Sequence, residues 1–169
     1  MGSIGKRKVI MSEDIKSMIQ TLSHSGSNLS NVGLQKVKAF IDANKTNQGT
    51  TFRGLDVSDA ILNSYKVGDE IPKVNEIDSW STSQSVAQDY ATQNINNFNI
   101  SGNNPVVLVQ NNTQGIDISD VSFFSGEKEI LTVGKNYKIV GIQKQNITTY
   151  DNRGDEQQTV LTILRVNKV

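Results

Sequence analysis

The sequence predicts an α+β fold, and three observations lead there. Apolar residues recur at helical spacing only through residue 44 and once more near residue 90; short β-branched runs fill most of the remainder. The order is helices first and then strands, which suits segregated layers better than a wound parallel sheet. No Gly-rich phosphate loop of either common kind joins a strand to a helix, so Rossmann and P-loop architectures fall away. The chain has 169 residues. That is the length of a single domain with room for a core and a cleft. Residues 1–48 are expected to form a helical N-terminal layer and residues 49–169 a strand-rich core.

In "SEDIKSMIQTL" Ser12 is the cap, acids fill the first turn, and Ile15, Met18, Ile19 and Leu22 share a face. "HSGSN" breaks this helix. Ser30 or Asn31 opens a second, with Leu34, Val37, Lys38 and Ile41 along it, ending near Asn44. The expected strands are "TTFRGL", "EIDSWSTS", "PVVLVQ", "GIDIS", "EILTV", "YKIVGIQKQNITTY" and "QQTVLTILRV". A helical turn, "SDAILNSY", follows Asp56, and a fuller helix, "SQSVAQDYATQN", is capped by Ser83 or Ser85. The Asn-rich stretch 93–104 reads as a long loop, and loops of that length often carry function. "NRGDEQQ" contains Arg-Gly-Asp but lies between two strand-like runs, where a hairpin turn is the simpler reading.

Composition removes several function classes. Lys plus Arg equals Asp plus Glu at 17 each, so net charge is zero and broad capture of nucleic acid or anionic membrane is not indicated. There is no cysteine for disulfides, thiol catalysis or thiolate metal sites, and the single histidine, His24, lacks partners for a triad or a zinc site. No metal is called for. No apolar stretch approaches the roughly 18 residues of a spanning helix. The start shows no apolar signal-peptide region and misses the myristoylation pattern at Lys6. The lack of cysteine suits either a reducing cytosol or bacterial secretion and does not choose between them.

Three stretches are not explained by a core alone. In "TFRGLD", Arg53 is either an exposed strand residue or a guanidinium fork for phosphate or ribose oxygens. In "SWSTSQ", Ser83 suits a helix cap, while Ser81 and Thr82 precede the cap, and Ser81 and Ser83 share a face if the strand runs through both. In "SFFSGEKEILT", Glu127 and Glu129 on a strand would face one side with Cα atoms about 6.5–7 Å apart. Lys128 would face away, so the two like charges need a partner or a job. The alternative is an exposed, charged strand face. Phe123 and Phe124 just upstream favour a recognition loop.

Taken together and in this order, these stretches resemble the mono-ADP-ribosyltransferases of the Arg–Ser–Glu class. The resemblance rests on Phe52-Arg53, on Trp80-Ser81-Thr82-Ser83 with a helix after it, and on the Glu-x-Glu of "FFSGEKEIL". It covers roughly residues 50–168. It implies two twisted, mostly antiparallel sheets packed near-perpendicularly around an NAD cleft, with helices at the sides. It implies an enzyme that cleaves NAD, a substrate rather than a cofactor, and transfers ADP-ribose to an arginine of an unidentified target protein. Under it Glu129 stabilises the ribosyl cation and Ser81 hydrogen-bonds and orients Glu129. Arg53 grips the diphosphate or a ribose, and Glu127 meets the acceptor guanidinium. Gly54, Thr82 and Ser83 belong to the NAD-binding set. Phe98, in the Asn-rich loop, stacks on nicotinamide or anchors the loop, and Phe123 or Phe124 faces the target. A Glu at 127, where many members with other acceptors have Gln, favours arginine. Two departures stand out: Trp80 replaces a commoner Phe, and the helical part is short, which leaves open whether a docking or delivery domain is missing from this chain. The rival readings are an NAD glycohydrolase using water and an NAD-binding module without catalysis.

Overall fold

The computed structural model describes residues 9–23, 29–95, 103–122 and 125–169. His24, Phe98, Phe123 and Phe124 lie outside these residues. The chain forms two compact units, each assembled from several segments.

The first unit holds both leading helices, α1 (Glu13–Ser23) and α2 (Asn31–Asn44). Both start where serine offers an oxygen to an orphan N–H: Ser12 Oγ accepts from Ile15 N at 3.2 Å, and Ser30 Oγ from Gly33 N at 3.1 Å. The strands of this unit are β1 (Thr46–Asn47), β4 (Ile77–Ser81), β6 (Gln114–Asp117) and β7 (Glu129–Val133). They lie in the order β1-β6-β7-β4, every pair antiparallel. The helices pack against these strands. Ile19, Val37 and Ile41 share one core with Ile116 of β6, Ile118 just after it and Leu131 of β7, and all six are buried. Glu76, just before β4, is tied to α2 by Lys38 at 2.7 Å and accepts a second bond from Lys73 at 3.0 Å. These cations hold its carboxyl below the usual glutamate range.

The second unit holds β2 (Thr51–Val57, from Phe52 on), β3 (Glu70–Ile71), β5 (Asn104–Gln110), β8 (Tyr137–Tyr150) and β9 (Glu156–Lys168). The order is β2-β5-β9-β8-β3, with β5 and β9 parallel and β8 and β9 a long antiparallel hairpin. The Arg-Gly-Asp segment is that hairpin's turn. Asp151 accepts from Arg153 N at 2.8 Å and Asp155 N at 2.9 Å, and Gly154 takes φ +82°. Helices α3 (Asp59–Ser64) and α4 (Gln84–Thr92) complete the unit. Its core joins Ala87 and Ala91 of α4 to Val107, Ile147, Leu161 and Ile163. The two-residue strands β1 and β3 went unanticipated, because a pair of residues carries no readable alternation.

Gly54 fixes how α4 sits on β2. A Cβ there would come 2.0 Å from the Ala87 carbonyl oxygen and 2.9 Å from Ala91 N, both helix backbone that cannot swing aside. Gly54→Ala is therefore expected to destabilise by more than about 3 kcal/mol, since overpacking here is met by backbone and not by a flexible side chain. Urea denaturation measures it; a loss below about 1 kcal/mol would mean that α4 shifts freely.

Candidate functional site

Strands β4 and β7 pair with Ile77 opposite Val133, Ser79 opposite Leu131 and Ser81 opposite Glu129. Strand alternation puts these six side chains on one face. At one end that face is apolar, where Ile77, Leu131 and Val133 pack on the helices. At the other it turns polar, with Ser79, Ser81 and Glu129. The opposite face carries Trp80 and Ile130, both buried.

Glu129 is 8% exposed. Ser79 Oγ donates to its Oε2 at 2.5 Å, and Ser122 Oγ reaches Oε1 at 3.4 Å. Burial pushes the carboxyl above the usual glutamate range. The Ser79 hydrogen bond opposes that, the nearby Glu127 charge adds to it, and Ser122 opposes it. The arrangement is a carboxylate largely withdrawn from water, aimed by hydroxyls, with a second acid close enough to be felt.

Glu127 is not on the strand. It closes a short 3₁₀ turn, Ser125–Glu127; Lys128 is left-handed at φ +50°, and β7 begins only at Glu129. The two acids therefore do not face one side of a strand at i and i+2, and Glu129 does not lie on an exposed, charged face. The reason is in the bonds at the strand entrance. The Glu127 carbonyl accepts the Ser81 hydroxyl at 2.6 Å, and the Lys128 carbonyl accepts Thr82 N at 3.2 Å. These contacts offset the roughly 1–2 kcal/mol that a left-handed residue with a β-carbon costs.

The same bonds correct the expectation for Ser81. Its hydroxyl supports the Glu127 carbonyl, while the hydroxyls bonded to the Glu129 carboxylate are those of Ser79 and Ser122. Neither of these two was singled out from the sequence, although Ser79 sits two residues before Ser81 and so shares its face. Ser83 does not share that face. The strand stops at Ser81, and Ser83 caps α4 with its backbone, its hydroxyl meeting Ser85 Oγ at 2.9 Å.

In the second unit, Phe52 packs on the core beside α4 and Gly54 points at the α4 backbone. Arg53, between them, projects from the other face of β2 and is half-buried. The close approach of α4 accounts for the glycine at 54 by packing alone. The ends of the Asn-rich loop are cross-tied: Asn103 Nδ2 donates to the Asn94 carbonyl at 2.8 Å, and Asn104 Nδ2 to Val57 O at 3.1 Å and to Asp59 Oδ1 at 2.7 Å. Asp56 bonds to Asn94 and Asn104, and its partial burial raises its carboxyl against those bonds. Asparagine, which offers both donor and acceptor, suits a loop base of this kind. Among the described residues no cluster of acids and histidine could hold a metal, and no helix is long and apolar enough to cross a membrane.

No family model matches the chain, and no curated protein does. Solved structures do match. The Vis ADP-ribosyltransferase of Vibrio splendidus, in complex with agmatine, superposes with a TM-score of 0.65 at 18% identity over 94% of this chain and 76% of that one. The enzymatic component C2-I of the Clostridium botulinum C2 toxin gives 0.57 at 15% identity over 92% of this chain and 44% of that one. Plx2a, an ADP-ribosyltransferase toxin from Paenibacillus larvae, gives 0.55 at 11% identity over 94% and 88%.

Proposed function

We propose that this chain, which has the ADP-ribosyltransferase fold, is a mono-ADP-ribosyltransferase that cleaves NAD and transfers ADP-ribose to an arginine side chain of a target protein. The observation that carries the reading is the buried, hydroxyl-bonded carboxylate of Glu129 with Glu127 beside it. When the nicotinamide–ribose bond breaks, its electron pair leaves with nicotinamide and positive charge develops on the ribose. A carboxylate fixed beside that ribose stabilises the charge, and does so more strongly where water is scarce. The acceptor guanidinium is protonated at working pH and must lose a proton as the new C–N bond forms. Glu127 is the base assigned to that proton. Agmatine, the guanidino compound bound by the Vis enzyme, supports a guanidinium acceptor here. Phe123 and Phe124, shortly before Glu127 in the sequence, are the proposed contacts with the target, and Phe98 a proposed nicotinamide contact. Gly54, Thr82 and Ser83 stay in the proposed NAD-binding set.

The test is incubation with NAD and agmatine, followed by chromatography of the products. ADP-ribosylagmatine in step with nicotinamide is the expected result. Nicotinamide release with free ADP-ribose alone would make the chain a glycohydrolase, and no NAD consumption would leave a binding module. Labelled NAD in a cell lysate, with mass spectrometry of the modified residue, then identifies the target.

Arg53 is assigned to the diphosphate or adjoining ribose oxygens, where a planar guanidinium can bond in pairs. Arg53→Lys is therefore expected not to rescue binding, because lysine lacks that geometry. The weakening should be roughly 1.5–3 kcal/mol, the range for hydrogen bonds to charged groups. Calorimetry showing unchanged NAD affinity in Arg53→Ala would remove Arg53 from the site.

A further inference from the structure

We infer that Ser79, two residues before the serine that the family resemblance points to, is the positioning residue that aims the Glu129 carboxylate; the inference rests on the transferase reading above. Three features of the strand pair lead there. First, the register places Ser81, not Ser79, directly opposite Glu129, yet the hydroxyl bonded to Oε2 is that of Ser79, reaching diagonally across the pair. Second, the 2.5 Å separation is at the short end of the range for a hydroxyl on an ionised carboxylate, whereas Ser122 approaches the other oxygen only at 3.4 Å. Third, the Ser81 hydroxyl donates to the Glu127 carbonyl at the mouth of the strand. The two serines thus divide the work: Ser81 supports the backbone that carries Glu127, and Ser79 orients the carboxylate that serves the ribose.

A hydroxyl donating to the carboxylate favours its charged form, opposing burial and the Glu127 charge. Among the described residues Glu127 is the charge acting on this carboxylate. Asp78 of β4 and Asp117 of β6 lie on the opposite face of their strands, and Lys128 is exposed. Ser79 itself is exposed, so its replacement leaves the core intact.

The test compares Ser79→Ala, Ser79→Thr and Ser79→Val in the full chain. Thr and Val match in shape and both suit a strand, so that pair isolates the hydroxyl. For NAD cleavage, Ala and Val are expected to lower kcat by about 10–100-fold with little change in KM, the usual cost of losing such a partner. The acid limb of the kcat profile should move to higher pH, and Thr should restore both. Carbon-13 NMR of the Glu129 carboxyl gives a readout independent of turnover. Its titration midpoint should rise in Ala and Val and return in Thr. An unchanged midpoint, or Val behaving as Thr, overturns the role of Ser79. A wild type that consumes no NAD overturns the transferase reading instead, while the NMR midpoint still decides Ser79.

Discussion

Glu129→Gln should lose NAD cleavage by at least about 10²–10³-fold, the effect of removing a preorganised electrostatic group, while the protein becomes more stable at neutral pH. The two effects share one cause. Burial raises the Glu129 carboxyl, chiefly by desolvation, so ionisation inside the fold is unfavourable. A group whose folded pKa lies above its unfolded value destabilises the native state as pH rises through that window. Below the ordinary glutamate range both wild type and variant are neutral at this position, and their stabilities should converge. Near neutrality the wild type holds a buried charge and the variant does not. Each kcal/mol recovered raises Tm by about 2–4 °C in a chain of this length. Thermal melts at about pH 3 and pH 7, beside a nicotinamide-release assay, make the check. A Gln variant that is less stable at both pH values would mean that Glu129 is a structural anchor. Substantial retained NAD cleavage would remove it from the chemistry.

Glu127→Gln separates transfer from bond breaking. Glu127 belongs to the turn before β7 and is half-buried, so the substitution leaves the strand and the Ser79–Glu129 bond untouched. Glutamine keeps the shape and can still bond to a guanidinium, but it has no charge and cannot take a proton. A lost general base typically costs 10²–10⁴-fold, about 3–5 kcal/mol of barrier. Transfer to agmatine should fall by that order, while slow hydrolysis of NAD persists, because water needs less help against a highly reactive cation. Hydrolysis and transfer falling together would assign Glu127 to the bond-breaking step. The neighbouring charge also acts on Glu129, so the acid limb of residual hydrolysis should move to lower pH in this variant.

The sequence by itself determined the longer elements and the α+β class. Helical spacing with Ser12 and Ser30 caps specified α1 and α2, and β8 was legible over its whole length, because these signals are local. The order of the Arg53, Ser81 and Glu127–Glu129 motifs led to the fold that the solved structures share. Only the tertiary structure decided how the acids are held. Whether Glu127 continues the strand depends on what its carbonyl meets, and that partner, Ser81, is 46 residues away. Whether Ser79 or Ser81 serves Glu129 depends on the diagonal of a strand pair whose register is set by Ile77, Leu131 and Val133 packing against the helices. The burial that raises the Glu129 carboxyl is likewise a property of that packing. A linear motif can name the acids and the serines, but long-range register assigns one to the other.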